Sequence, residues 1–554
     1  MERLAEDLKT MERTPLEDGH LDRLRAIADE VTFAPGEWLH ELGAPSDRFL
    51  YILEGEAEPV DALTGGRHDG AVMGAGQFTG EVSFLTGTRA MLAVRACSRV
   101  RALSAPRDEV LALMRELPEM SDIVVTVLAA RRRRLLEVER GGLTLLGLDE
   151  DREIRAIAAF AGRNRIPFRA LCHDDPDAGE IARACGVAAP HTAVLFGRDH
   201  VVTDPTPRKV ARLFGLDLDL DDTVLHDVMI VGGGPGGIAA AVYAASEGLD
   251  ALVVEDATIG GQAGTSSRIE NYMGFPTGIS GADLCWRGEV QALKFGARFA
   301  VPRRATRLTR RDDGAWCVTL DDDTEACARA VVVATGVQYR RLPLDRLEEF
   351  ENSGVYYAAT DVEARFCRDT DVVIVGGGNS AGQAAVFLSR TARCVHLIVR
   401  EADLADSMSS YLRERLEASD AISIRTECEV AALEGDDCLS AVRLKGEGAA
   451  EDERIETRAM FVMVGAAPNT GWLDEQVACD DAGFVLTGEA AGREGPFCTS
   501  AEGIFAVGDV RAGSVKRVAS AVGEGSVVIS RVWDYVARLE ARNDEDESRH
   551  RAAE

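Results

Sequence analysis

Short apolar runs broken by glycine and polar turns fill the first 137 residues. FAPGEW, RFLYILEGEAEPV, GQFTGEVSFLTGT and MLAVRACSRVRALS read as short strands at regular spacing, the pattern of a small β-barrel or sandwich. Helical spacing follows at residues 107–117 and again at 122–139. The second of these carries the basic run 131–134, which reads as a solvated helix face leading into a linker. From 140 to 222 strand and helix patterns alternate: LTLLGLD, DREIRAIAAFAGRN, IPFRALCHD, DAGEIARACGV, TAVLFGRDHVV and PRKVARLFGL. Such alternation predicts a small α/β unit. The acidic residues 217–222 read as a connector. The mostly charged tail, 540–554, is expected to be disordered.

The richest pattern begins at residue 223. A buried apolar strand, 228–231, runs straight into Gly232-x-Gly234-Pro235-x-Gly237, then a helix, then a second strand ending at Glu255. The first glycine permits the tight turn, the second lets backbone approach a pyrophosphate, and the third lets helix and strand pack closely. The helix N-terminus offers N–H groups and a positive dipole end to phosphate. Glu255, 23 positions after Gly232, is placed to accept the ribose hydroxyls. The pattern returns 144 positions later. Strand 372–375 leads into Gly376, Gly378 and Ala381, with Asn379 and Ser380 opening the helix. Strand before, helix after and acid at the right distance make this signal specific. Two dinucleotide sites in one chain point to a bound flavin and an exchanging nicotinamide, with hydride passing between them.

Composition narrows the picture. The 554 residues carry a net charge of −31, which repels phosphate and argues against a nucleic-acid partner. No apolar run reaches the roughly 18–20 residues that span a bilayer. The opening MERLAEDLKT lacks a signal-peptide core, so cytoplasm is the expected location. None of the 12 cysteines forms a C-x-x-C pair, which removes both zinc-ribbon and dithiol spacing. No metal is expected, and most cysteines are expected to be small buried hydrophobes.

Further motifs carry a resemblance. Gly260-Gly261-Gln262, Ile269-Glu270-Asn271-Tyr272, Ala334-Thr335-Gly336, the stretch FVMVGAAPNT and Gly508-Asp509 occur in order over residues 225–535. With the two fingerprints, they make this part of the chain resemble the thioredoxin reductase family of flavoproteins. The resemblance implies a split FAD domain, 223–341 and 469–535, with an NAD(P)H domain inserted at 342–468. It implies that Asp509 bonds the ribityl chain, that Gln262 and Asn271 line the flavin site with Thr335, Gly336, Gly508 and Ala519, and that the protein is a homodimer. One element departs. That family carries Cys-Ala-Thr-Cys just before the second nucleotide strand, whereas this chain has Tyr357-Ala358-Ala359-Thr360-Asp361-Val362-Glu363. The electron acceptor is therefore open, with a thioredoxin- or ferredoxin-like protein among the partners considered. Cys367 stands as a lone thiol candidate against a reading as a packing cysteine. The family's 2′-phosphate pocket begins His-Arg-Arg and adds an arginine four positions on. Here Val399, Arg400, Glu401 and Ala405 stand there. Arg400 favours NADPH, and Glu401 suits the NADH ribose.

The front segments carry resemblances of their own. Residues 20–115 resemble a cyclic-nucleotide-binding domain, which implies Glu81 on the ribose and Arg89 facing the cyclic phosphate. The family's Pro-Arg is absent, and a barrel kept for dimerisation or docking is the other reading. Residues 140–222 resemble a thioredoxin- or glutaredoxin-like fold. It has no cysteine at 148–151, and Pro190 sits one position early beside His191-Thr192, so an inactive adaptor is implied. The expected fold class is multidomain α/β. Two Rossmann-type three-layer domains follow a β-barrel domain (1–137) and a small thioredoxin-like domain (140–222). The expected function is an FAD-dependent NAD(P)H oxidoreductase. The alternatives are a cyclic-nucleotide-regulated or redox-sensing flavoprotein, or a reductase of a ferredoxin- or flavodoxin-like partner.

Overall fold

In a computed structural model the described residues are 14–553, apart from 69–71, 81, 138–140, 148–150, 173, 188–192, 199, 203, 267, 268, 270, 352, 358, 360–363, 365, 366, 405–407, 437 and 447–452. Contacts gather into two units. One is Met1–His226 with Ala241–Thr258 and Arg287–Arg304; the other is Asp227–Ala240 with Ile259–Trp286 and Ala305–Glu554.

The N-terminal β-domain is two three-stranded antiparallel sheets. Val100–Pro106 lies between Asp29–Phe33 and Arg48–Glu54, and Ala93–Ala96 lies between Trp38–His40 and Ala57–Val60. Leu50, Ile52, Val94 and Val100 meet in its core. Two helices follow, Arg107–Glu116 and Pro118–Glu137. The basic run on the second helix is not a solvated face. Arg131 donates through one Nη1 to the carbonyls of Phe78 (2.7 Å) and Gly80 (2.9 Å), and Arg132 is buried. This helix lies against the β-domain, so its arginines satisfy loop carbonyls that water would otherwise have to reach.

The next segment is a mixed four-stranded sheet. Leu143–Leu146 pairs in parallel with Phe168–Leu171 and antiparallel with Ala193–Phe196, which pairs with His200–Val202. Period-two alternation sends Leu143 and Leu145 to the face covered by the helices Arg152–Arg163 and Pro207–Phe214, and Leu146 to the face under Ala178–Ala184. Both larger helices start on readable caps. Asp151 accepts from the N–H groups of Glu153 and Ile154, and Thr206 from Lys209 with Pro207 at the first position. The acidic stretch expected as a connector contains a buried carboxylate. Asp217 is paired with Arg208, Arg212 and Arg303.

Arg132 donates Nη1 to the Arg165 carbonyl at 3.0 Å, and both arginines lie in the field of Glu289 on the helix Gly281–Phe295. Burial pushes the Glu289 carboxyl up to about 7, against the pull of Arg165 and Arg132. Between about 4.5 and 7 the folded chain keeps a proton that the unfolded chain has released. Stability therefore falls as pH rises through that window, and the deficit is complete above about 7. Glu289→Gln removes this slope. Urea unfolding at pH 5.5 and pH 8 is expected to show the variant gaining on the parent chain toward pH 8, by about 2 kcal/mol.

The C-terminal 330 residues hold a seven-stranded sheet. Its order is Arg298–Ala300, Ala251–Val254, Leu225–Val231, Glu325–Val333, Trp316–Leu320, Ala305–Arg310, with Ile504–Ala506 parallel to Glu325–Val333. A second, five-stranded sheet is parallel throughout: Val355–Tyr356, Ala459–Val462, Asp371–Val375, Cys394–Ile398, Ile422–Arg425. Its central strands are continuous apolar runs, as burial on both faces requires. A three-stranded antiparallel sheet, Cys428–Gly435, Leu439–Gly446 and Glu453–Glu456, completes this part. The tail is not an irregular segment: the helix Val518–Ala553 runs through it. Propagating an existing helix costs little, and Arg, Glu and Ala are good helix formers. Among the described residues no helix is long and apolar enough to cross a membrane.

Candidate functional site

The two fingerprints build the same object twice. Gly232 (φ +110°) and Gly376 (φ +141°) both hold backbone angles that side chains resist. A Cβ on Gly232 meets the Ala334 carbonyl oxygen at 2.3 Å, and one on Gly376 meets the Met463 carbonyl oxygen at 2.3 Å. In each case that residue follows the neighbouring strand and returns a hydrogen bond: Ala334 N–H to Val231 O at 2.8 Å, Met463 N–H to Val375 O at 2.7 Å. Each second glycine faces open space, with nothing within 4 Å of a Cβ built on Gly234 or Gly378. That is the approach a pyrophosphate needs, and a cradle a Cβ would begin to fill. The third positions differ. A Cβ on Gly237 falls 1.9 Å from the Gly232 carbonyl oxygen, whereas Ala381 is buried and accommodates its methyl.

Around the first cradle several motif residues come together. Gly260 donates to the Gly233 carbonyl at 2.7 Å, and Gly261 (φ +51°) packs on Gly234. Gln262 donates through Nε2 to the Val337 carbonyl. Thr335 donates through its hydroxyl to the Asn469 carbonyl at 2.8 Å, beside Gly336 (φ +60°). Pro235 opens the helix Pro235–Ser246. Glu255 ends the next strand with Oε1 accepting from the N–H groups of Ala257 (3.0 Å) and Thr258 (3.3 Å). Asn271 is exposed, and its neighbour Glu270 lies outside the described residues. Ala519 is exposed in the first turn of the long C-terminal helix.

The Gly508–Val510 turn is braced by a residue the motifs did not mark. Glu524 accepts from the Gly508 N–H at 2.6 Å and from Arg511 through Nε and Nη2. No local signal announces it, because the bond joins a turn to a later turn of the C-terminal helix. Asp509 itself is largely shielded. Burial pushes its carboxyl up, with Lys516 pulling the other way.

At the second cradle Asn379 Oδ1 accepts from the Ser409 N–H (2.9 Å) and hydroxyl (3.0 Å), while Ser380 is exposed at the helix start. The Arg400 side chain is 81% exposed, with Glu401 at 3.5 Å. Ala405 lies outside the described residues. Cys367 is fully buried in an apolar core with Val372, Ala385 and Leu388. Positions 358 and 360–363 of the stretch replacing the cysteine pair lie outside the described residues. One cysteine pair escaped the spacing rule. Cys317 and Cys327 face each other across adjacent antiparallel strands and form a disulfide. Register, not sequence spacing, brings them together.

In the front part Glu81 lies outside the described residues. Arg89 is exposed. Its N–H donates to the Phe214 carbonyl at 2.8 Å and its guanidinium to the Gly43 carbonyl at 3.1 Å. It is engaged where the β-domain loop meets the helix Pro207–Phe214. It is absent from the walls of the β-domain cavity, which His40, Arg48, Phe84, Met91, Arg131 and Arg134 help to form.

Comparison with known proteins places these features. The pyridine nucleotide-disulphide oxidoreductase family model matches residues 226–525, and the cyclic nucleotide-binding domain model matches residues 30–116. Thioredoxin reductase of Mycolicibacterium smegmatis is 36% identical over 301 residues, covering 54% of this chain and 93% of that protein. Thioredoxin reductase of Streptomyces clavuligerus is 33% identical over 57% of this chain and 95% of that protein. The crystal structure of Lactococcus lactis thioredoxin reductase superposes with a TM-score of 0.51 at 27% identity, covering 56% of this chain and 99% of that one.

Proposed function

The chain belongs to the pyridine nucleotide-disulphide oxidoreductases and is thioredoxin reductase-like, and from that premise we propose a reductase that uses FAD and NADPH without a dithiol relay of its own. FAD is assigned to residues 223–341 and 469–535, and the nicotinamide nucleotide to 342–468. When bound, the flavin supplies a carrier that takes hydride from the nicotinamide and passes electrons onward. The chain's own residues bind and orient. Backbone N–H groups at the start of Pro235–Ser246 and Asn379–Leu388 receive the two pyrophosphates. Glu255 takes a ribose, Gln262 and Asn271 border the flavin, and Asp509, fixed by the Glu524 brace, meets the ribityl hydroxyls. The single observation carrying this reading is the repeated cradle: first glycines closed against a carbonyl, second glycines open.

The absence of any C-x-x-C in the chain, together with the burial of Cys367, supports an acceptor that takes electrons from the flavin directly. A thioredoxin- or ferredoxin-like protein fits this role. The mixed sheet of residues 143–202 supports reading 140–222 as a thioredoxin-like adaptor, and a cytoplasmic homodimer fits the family. The acceptor is found by reoxidation. Flavin reduced anaerobically is mixed with thioredoxin, ferredoxin or a small disulfide. Reoxidation by one of them names the class. Reoxidation by none favours the sensor reading.

Arg400 is the cation placed for a 2′-phosphate, since a guanidinium pairs with phosphate in a fork. Arg400→Ala is expected to raise KM for NADPH about tenfold, the worth of one charged hydrogen bond, while KM for NADH stays put. Steady-state kinetics with both nucleotides checks it. Equal changes for both would move the phosphate site elsewhere.

A further inference from the structure

We propose that Arg511 is a positioning residue for the flavin: by clamping Glu524 it holds the Gly508–Val510 turn, and Asp509 with it, in register with the first glycine cradle. The inference rests on the flavin reading above and deepens it with a residue that no motif marks.

Arg511 reaches three partners at once. It donates through Nε to Glu524 Oε2 at 3.1 Å and through Nη2 to Glu524 Oε1 at 2.7 Å. This is the two-pronged geometry in which a guanidinium meets a carboxylate best. Its other terminal nitrogen, Nη1, donates to the Thr487 hydroxyl at 2.9 Å. The guanidinium also lies 5.1 Å from the centre of the buried Phe497 ring. The side chains of Arg511 and Glu524 are 15% and 14% exposed, so water does little to replace a lost partner.

Glu524 passes this constraint to the turn. Its Oε2 also accepts from the Gly508 N–H at 2.6 Å. Main-chain bonds hold the other side: Val485 N–H donates to Val510 O and Ala512 N–H to Val485 O, both at 2.9 Å. Beside Glu524, Gly525 comes so close to the helix Pro235–Ser246 that a Cβ on it would meet the Gly236 carbonyl oxygen at 2.1 Å. Gly236 stands between the cradle glycines Gly234 and Gly237. One turn of the C-terminal helix therefore joins the ribityl turn to the pyrophosphate cradle, and Arg511 fixes that turn of helix from behind. A binding group held to a fraction of an ångström depends on such a supporting residue.

The test follows FAD release from the purified flavoprotein on dilution, well below the unfolding midpoint of each variant, by the rise in flavin fluorescence. Visible circular dichroism of the bound flavin is read alongside. Arg511→Gln is expected to release FAD about tenfold faster than the parent chain, the worth of one hydrogen bond to a charged group, and to alter the dichroic band. Arg511→Lys keeps the charge without the fork and is expected to fall between the two. Thr487→Val keeps the side-chain shape and removes only the Nη1 acceptor. It is expected to unfold like the parent chain and to release FAD about threefold faster, and it carries the test if Arg511→Gln does not fold. A clamp that serves only stability would lower the unfolding midpoint and leave release and dichroism at parent values in every folded variant; that result overturns the inference. A parent chain that purifies without flavin would instead sink the flavin reading, and the inference with it.

Discussion

Gly237→Ala is expected to emerge from purification colourless. The added methyl would sit 1.9 Å from the Gly232 carbonyl oxygen, 3.1 Å from its carbon and 3.3 Å from Ile230 Cγ2. None of the first two contacts is a flexible side-chain end, so the helix Pro235–Ser246 must move off the strand Leu225–Val231. Overpacking of this kind costs about 1–3 kcal/mol. More important, it carries the helix N-terminus away from the position a pyrophosphate occupies, so flavin affinity falls by orders of magnitude. Gly234→Ala makes the informative partner. Its methyl meets nothing within 4 Å, so the chain folds as before and loses flavin because the methyl takes the phosphate's space. Flavin absorbance per chain and thermal unfolding, measured on both variants, separate the two effects. Full flavin content in Gly237→Ala would mean that the helix yields easily and that the close packing is not required.

Asp217→Asn is expected to destabilise the chain by about 3–5 kcal/mol, the usual cost of stripping one partner from a buried ion pair. The Asp217 side chain is 1% exposed and the Arg303 side chain 2%. Oδ2 also accepts from Arg208 Nε at 3.0 Å and Arg212 Nε at 2.8 Å. Asparagine keeps the shape and removes the charge. Arg303 is then left buried with two like charges beside it, its Nη2 still donating to the Leu218 carbonyl at 3.1 Å. The same place holds the backbone bond from Val301 N–H to Leu216 O at 3.0 Å, so segments 216–218 and 301–303 are expected to loosen together. Urea unfolding followed by tryptophan fluorescence reads the cost, and limited proteolysis near residue 218 locates it. An unchanged first transition would make the cluster electrostatically neutral.

What could be read from the chain before its structure was local. Both fingerprints, from strand 228–231 through Gly237 and from 372–375 through Ala381, are fixed by apolar runs and glycine spacing, and they fold as read. The helix starts at Asp151 and Thr206 are likewise local signals. What escaped depends on partners distant in sequence. Asp217 sits in an acidic stretch and becomes buried only because Arg303 closes over it. Residues 131–134 look solvated until the β-domain carbonyls are placed beside Arg131. Glu524 braces Gly508 from a separate element, and Cys317 finds Cys327 through strand register. Arg89 is engaged by the Phe214 and Gly43 carbonyls, partners that no local pattern announces. In the charged tail, composition alone does not show that a long helix runs into it.

The central claim is that the two cradles hold a flavin and a nicotinamide in working relation. Anaerobic stopped-flow mixing of the purified protein with NADPH, and separately with NADH, tests it most directly. The account predicts that the flavin band bleaches in a single-turnover phase, faster with NADPH than with NADH. Protein that carries flavin yet is bleached by neither nucleotide would contradict it.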